Sequence, residues 1–203
     1  MSGLKRVFDV AGSLALLAVL GPVLAGAALA VARDGPGPVL FRQRRLGLRG
    51  RPFTILKFRT MAAGDPEAET RRDDPRITRA GAVLRAWRID ELPQLVNVLR
   101  GEMSLVGPRP LLERFLPYYS ALDLRRLEVP PGMTGWQQVN GASRHGWRER
   151  VELDVWYVDH RSFLLDLWIL LRTVGVVLRA DTAYAPDGSQ RSGIPDGAPR
   201  ERP

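Results

Sequence analysis

The 203-residue chain contains no cysteine. Disulfides, thiolate nucleophiles and cysteine-ligated metal sites are excluded together. Histidine is almost as scarce. His145 and His160 are the only two, without partners at metal-ligand spacing, which argues against a zinc cluster. Lysine occurs only at Lys5 and Lys57, yet Lys and Arg total 30 against 22 Asp and Glu, a net charge of +8. The positive charge is therefore arginine. Its planar fork suits bidentate recognition of phosphate or carboxylate. Composition leaves nucleic acid, anionic lipid and phosphorylated small molecules all open as partners. Codon bias is a further source of arginine. No internal repeat is visible.

What is present begins with a long apolar run, Val7 to Ala32, "VFDVAGSLALLAVLGPVLAGAALAVA", preceded by Lys5 and Arg6 and followed by Arg33. A cleaved signal peptide, a bilayer-spanning helix and a re-entrant hairpin compete for it. Gly21-Pro22 splits the run. Proline removes a backbone donor and clashes with the preceding turn, so two half-helices are expected. At 1.5 Å per residue they reach only about 15 to 21 Å, short of a hydrocarbon core of about 30 Å. Asp9 is costly at membrane depth but tolerable at an interface. Both flanks are basic, which favours both ends in the cytoplasm. These arguments leave a spanning helix and a hairpin both standing.

Beyond a "GPGP" turn, Val39–Gln43 and the stretch from Phe53 read as two strands of a hairpin. Alternation puts Ile55, Lys57 and Arg59 on one face and Leu56 and Phe58 on the other. Residues 62–76 are charged and lack apolar anchors, so they read as an exposed loop. A helix is expected near Gly81, with Val83, Leu84 and Trp87 as its apolar face. A second is expected to start at Asp90, to carry Pro93 in its first turn and to end at Gly101. Trp147–His160 reads as a helix with an aromatic face. Phe163–Ala180 is nearly continuous apolar sequence, interrupted by Asp166, Arg172 and Arg179. An interfacial membrane helix and a buried core helix both fit it. The tail after Ala183 is Pro/Gly-rich and expected to be disordered.

The chemistry concentrates at Asp90 and Glu91, which stand among Arg85, Arg88, Arg100 and Arg109. A carboxylate can be a covalent nucleophile or can ligate Mg²⁺, and adjacency allows one acid for each role. Arginines nearby would neutralise phosphate oxygens. Equally, an Asp N-cap followed by Glu in the first turn is ordinary helix chemistry worth about 1 kcal/mol. On spacing alone, capping is the commoner explanation. Lys57 and Arg59 also fit the solvated face of an edge hairpin.

Four ordered blocks decide more than spacing does. "FRQRRLGLRGRPFTILKFRTM", "DELPQLVNVLRGEMSLVGPRPL", "PGMTGWQQVNG" and "ELDVWYVDHRSFLLDLWILLRTV" together resemble the bacterial sugar transferases, the monotopic polyprenyl-phosphate phosphoglycosyl transferases. The resemblance covers about residues 4 to 181. It implies transfer of sugar-1-phosphate from a UDP-sugar to undecaprenyl phosphate with release of UMP, the first membrane step of polysaccharide or glycoconjugate assembly. It further implies that Asp90 is the nucleophile, forming a covalent phosphosugar, and that Glu91 helps bind Mg²⁺. Arg85 and Arg109 are then expected at phosphate. Lys57 matches a basic strand position beside the site, with Arg59 on the same side. Asp166 matches a supporting aspartate.

The resemblance also settles the N-terminal segment as a re-entrant hairpin. The implied architecture is α+β: a re-entrant membrane anchor over 1–33, a catalytic domain over 34–182 with a small β-hairpin and interfacial amphipathic helices around the site, and a disordered tail over 183–203. The implied location is the cytoplasmic face of the bacterial inner membrane. Two positions depart from the family pattern. The break is Gly21-Pro22 rather than Ser-Pro. Ala142 stands where arginine is common, with Arg144 as the candidate substitute. The sequence identifies neither the sugar nor the oligomeric state; a homodimer is compatible with it. Competing functions are a non-enzymatic protein binding anionic membrane lipid and an aspartyl-phosphate phosphatase. A nucleic-acid binder leaves the apolar N-terminus without a role.

Overall fold

A computed structural model describes residues 3–62, 70–71, 73–141, 146–179 and 189–190. The chain opens with α1 (Gly3–Arg33) and the strands β1 (Leu40–Leu46), β2 (Pro52–Phe58) and β3 (Thr70–Arg71). Next come α2 (Arg79–Ala86), α3 (Gln94–Arg100), β4 (Ser104–Val106), β5 (Leu111–Leu112), α4 (Ala121–Leu124), β6 (Gly132–Thr134) and α5 (Trp136–Val139). It closes with α6 (Trp147–His160), α7 (Phe163–Leu178) and β7 (Ser189–Gln190). The mixed helix-and-sheet class agrees with the sequence reading.

The N-terminal run differs from the two half-helices that its proline predicts. It forms one 31-residue helix with Pro22 inside. Proline deprives only the Ala18 carbonyl of its partner, and the flanking turns keep their own bonds, so the helix continues. By length and composition α1 could cross a membrane. Both of its ends, however, are fastened to the same folded body. Near the start, the Lys5 ammonium meets Asp166 at 2.6 Å. Arg6 donates to the carbonyls of Val98 (2.5 Å) and Leu99 (2.7 Å) at the end of α3, where the helix dipole favours a cation. The Asp9 carboxylate accepts the Leu105 N–H at 3.1 Å. Near the end, Ala27 and Val31 pack into a cluster with Phe58 and Leu84. Between these anchor points Leu14, Leu16, Val19 and Val23 are exposed.

The β-hairpin forms as its alternation predicts. β1 and β2 run antiparallel from Leu40 opposite Phe58 to Leu46 opposite Pro52, and β5 pairs with Arg45 and Leu46 on the other side of β1. Both faces of β2 are covered rather than one. Ile55 enters the main core with Leu95, Val98, Met103, Val106, Val158 and Ile169, while Phe58 enters the cluster under α1. A third cluster, around Leu111, Phe115, Trp147 and Val151, joins β5 to α6.

Strands β4 and β6 pair in parallel, with Ser104 opposite Gly132 and Val106 opposite Thr134. They approach so closely that a Cβ on Gly132 would sit 2.1 Å from the Gly107 nitrogen. The Gly132 N–H donates to the Pro108 carbonyl at 2.8 Å, which pins the "GPRP" turn. The tail is not wholly without structure: Ser189 and Gln190 pair with Arg71 and Thr70. Ala142 and Arg144 lie outside the described residues.

Candidate active site

The sequence pattern predicts one helix beginning at Asp90. The structure instead forms a single 3₁₀ turn over Ile89–Glu91 and starts α3 at Gln94, after Pro93. Pro93 fits the N-cap of α3 because its missing N–H is not needed there. Asp90 therefore caps nothing. Its Oδ1 is buried and has no hydrogen-bond partner, which removes the capping explanation for the acid pair. The turn is reached through Arg88, whose backbone is left-handed (φ 57°, ψ 17°). A non-glycine residue pays roughly 1–2 kcal/mol for that conformation. It reverses the chain between α2 and the acids, and such strain is typical of functional sites.

Glu91 is held from three directions. Lys57 of β2 donates to its Oε1 at 2.9 Å. Arg109 of the GPRP turn donates to the same oxygen at 2.8 Å. Arg88 lies 3.8 Å from Oε2. The side chains of Lys57 and Glu91 are 16% and 14% exposed, so solvent screens these contacts weakly. Burial pushes the Glu91 pKa up, but Arg109, Lys57 and Arg88 outweigh it and hold the carboxyl well below its usual range. Asp90 goes the other way. Burial, then the adjacent Glu91 charge, pushes it up to about 6 against the pull of Lys57, Arg88 and Arg85. Burial also lowers the Lys57 pKa, with Glu91 opposing it, and the Glu91 charge raises that of Arg109. Neighbouring acids are thus driven apart: one is ionised and clamped, the other is unclamped with a free oxygen.

That free oxygen and its neighbour form an oxygen-donor pair. No group of three acids or histidines able to hold a metal occurs among the described residues. Mg²⁺ commonly takes one or two protein carboxylates and completes its shell with substrate phosphates and water. The pair fits a metal shared with a diphosphate rather than a closed protein cage.

The structure brings Lys57, Asp90, Glu91 and Arg109 together. Arg85 acts on Asp90 through its charge and bonds Thr60 Oγ1 at 2.8 Å. Two expected site residues lie elsewhere. Arg59 points toward the end of α1, where it donates to the carbonyls of Val31 (3.0 Å), Gly35 (2.7 Å) and Pro36. The Val31 carbonyl also accepts the Asp34 N–H at 3.3 Å, and Gly35 and Pro36 follow the helix end, so the Arg59 cation serves as a C-terminal cap. Asp166 bonds Lys5 and, at 2.7 Å, the Tyr157 hydroxyl. The same hydroxyl gives its one proton to Asp166 and lies 3.3 Å from the Val106 carbonyl, just before the GPRP turn. Asp166 ties α1, α6 and α7 behind the site and touches none of its charged groups.

Sequence reasoning left Arg88 unassigned and missed a buried pair, Arg126 and Asp154, 2.7 Å apart. Arg126 also donates to the Arg109 carbonyl at 3.2 Å, so α6 holds the backbone of the residue whose side chain grips Glu91. A signal for Asp154 existed. It shares the buried helical face of Val151, Val155 and Val158, an unusual place for an acid. Arg45 and Gln94 were also missed. With Lys57 and Arg109 they line a narrow cleft beside the acids.

The profile of the bacterial sugar transferases matches residues 1–180. The chain is 48% identical over 176 residues to the uncharacterized sugar transferase EpsL of Bacillus subtilis, covering 86% of this chain and 87% of that protein. It is also 48% identical over 192 residues to a UDP-glucose:undecaprenyl-phosphate glucose-1-phosphate transferase of Caulobacter vibrioides, with 89% and 72% covered. Identity is 41% over 199 residues to an undecaprenyl-phosphate galactose phosphotransferase of Salmonella typhimurium, where the match spans 89% of this chain but 42% of the longer relative.

Proposed function

The chain belongs to the bacterial sugar transferase family, and from that premise we propose that it moves a sugar-1-phosphate from a UDP-sugar onto undecaprenyl phosphate and releases UMP. The observation that carries the proposal is the division of labour between Asp90, buried with an unpartnered oxygen, and Glu91, clamped by cations.

In the first half-reaction an Asp90 oxygen attacks the β-phosphorus of the UDP-sugar. A phosphorus–oxygen bond forms to the aspartate, the bond to the bridging oxygen breaks, and UMP leaves with that electron pair. Ionised Asp90 is the required state, and its pKa near 6 leaves it ionised at neutral pH. Arg85, Arg88 and Arg109 face the charge that grows on the phosphoryl and leaving oxygens. In the second half-reaction an oxygen of the lipid phosphate attacks the same phosphorus. The bond to Asp90 breaks, the lipid diphosphate sugar departs, and the carboxylate returns. Bound Mg²⁺, held by Glu91 and the adjoining Asp90 oxygen, would neutralise diphosphate charge. Lys57 and Arg109 fix the Glu91 carboxylate in place.

The acceptor is lipid-borne, so the site belongs at a bilayer surface, here the cytoplasmic face of the inner membrane. Helix α1 is fastened at both ends to one body and exposes apolar side chains between them. That arrangement supports a helix that enters and leaves the bilayer on one side, bending at Pro22. The exposed Leu164, Leu171, Val174 and Leu178 of α7, with Val83 of α2 and Trp87 just after it, supply apolar surface for the interface.

The test is UMP release by membrane-reconstituted protein given undecaprenyl phosphate and a panel of UDP-sugars, with and without Mg²⁺. The expected result is UMP equal in amount to lipid-linked sugar, dependent on Mg²⁺. Release of free sugar phosphate without a lipid acceptor would replace the transferase reading by a phosphatase.

A further inference from the structure

Gln94 stands out among the polar groups of the site. It is 3% exposed, it lines the cleft between β1, β2 and the GPRP turn, and no described residue hydrogen-bonds its side-chain amide. Its amide atoms are not sealed from the cleft, so their hydrogen-bonding capacity is open to whatever enters it. The charged members of the cleft lining are Arg45, Lys57 and Arg109, all cations. Lys57 gives one N–H to Glu91, as does Arg109. An ammonium has three donors and a guanidinium five, so both retain donors for a second anion. Arg45 is fixed by Gln43 and by the Pro110 carbonyl at 3.1 Å. The cleft is narrow and suits an oxygen-sized group.

We propose that Gln94 is a substrate-binding residue, its amide donating to a phosphoryl oxygen that enters the cleft between Lys57 and Arg109. This rests on the transferase reading above and extends it to a residue outside the acid–cation cluster. Two substrates carry the matching chemistry: the nucleotide phosphate that becomes UMP, and the phosphate of the lipid acceptor. Both present a charged oxygen that accepts an N–H. A glutamine adds specificity without adding charge to a crowded cationic wall.

The test uses Gln94→Met, which keeps length and loses the amide, and Gln94→Glu, which puts a carboxylate against the incoming anion. A hydrogen bond to a charged group is worth about 10- to 100-fold in affinity. If the nucleotide phosphate is bound, Gln94→Met raises KM for the UDP-sugar at least about tenfold in the acceptor-free burst and weakens UMP inhibition in proportion. If the lipid phosphate is bound, the burst is unchanged and KM for undecaprenyl phosphate rises by that factor. Either result supports the proposal, and Gln94→Glu is expected to be the more damaging substitution. Both KM values within about twofold of wild type in Gln94→Met overturn it. Should Gln94→Glu fail to fold, Gln94→Met carries the test alone. Absence of UMP release by the wild type would instead strike the transferase reading. Inorganic phosphate then serves as probe: protection of the wild type, but not of Gln94→Met, against thermal unfolding sustains the cleft assignment, and equal protection removes it.

Discussion

Asp154→Asn removes the anion from a pair that water does not reach. Asp154 is 0% exposed and Arg126 5%, and their charged atoms lie 2.7 Å apart. The contact is ionic rather than well aligned: neither Asp154 oxygen, nor Arg126 Nε or Nη1, has a hydrogen bond of good geometry. Arg126 keeps its bond to the Arg109 carbonyl and lies 5.3 Å from the Trp147 ring centre. Neither neutralises a buried guanidinium. Breaking a buried pair from one side costs about 3–5 kcal/mol. Burial holds the Asp154 pKa up at about 6, so the neutral amide is relieved of about 3 kcal/mol that the ionised carboxylate costs at neutral pH. The net loss is then at most about 2 kcal/mol, a fall in melting temperature of no more than about 8 °C.

The pair itself contributes little net stability. Burial pushes Asp154 up to about 6 despite Arg126, so ionising it in the folded state costs about 3 kcal/mol at neutral pH. The native state holds that proton more tightly than the unfolded chain does. Its contribution to stability is therefore full below pH about 4 and is lost as pH rises through about 6. The paired replacement Arg126→Met with Asp154→Leu should consequently melt within about 1 kcal/mol of wild type or above it. It should still lose at least about tenfold in kcat, because the Arg109 backbone has lost its tether and small misplacements at a reacting centre are expensive. Scanning fluorimetry in nanodiscs and UMP release read the two quantities. An Asp154→Asn protein that melts more than about 10 °C below wild type would refute the burial argument. A stable double variant with full kcat would refute the tether.

The acid limb of the pH–rate profile should report Asp90. Its rate, measured as kcat/KM for the UDP-sugar at fixed Mg²⁺, should fall tenfold per unit below pH about 6 and level off above it. Glu91→Gln removes a neighbouring negative charge, so whatever activity survives should show that limb shifted to lower pH; a shift upward would contradict the electrostatic assignment. Arg59→Met should lower stability by about 1.5–3 kcal/mol through the freed carbonyls of Val31, Gly35 and Pro36 while leaving KM for the UDP-sugar unchanged. A raised KM with an unchanged melting temperature would return Arg59 to the substrate.

Local patterns carried the hairpin, α6 and α7, because period-2 and period-3.6 apolar spacing survives in the fold. The acid pair was visible as a motif, but its geometry was not. A left-handed Arg88 and a 3₁₀ turn at Asp90 are backbone choices imposed by packing between α2 and α3. α1 runs on through Pro22 because one lost hydrogen bond does not end a helix whose flanking turns keep theirs and whose two ends are anchored. Asp166 was recognised as important, but its work is to hold Lys5 and Tyr157, partners 161 and 9 residues away. Arg126 and Asp154 meet only through tertiary structure, 28 residues apart with no spacing signal between them.

The central claim is a covalent bond to Asp90. Intact-mass spectrometry of the reconstituted protein, mixed with the UDP-sugar that supports turnover and no lipid acceptor, measures it directly. The account predicts a mass increase of one sugar phosphate less water, mapped to Asp90, absent in Asp90→Asn and discharged by added undecaprenyl phosphate. Undiminished turnover in Asp90→Asn, or an adduct on any other residue, would contradict it.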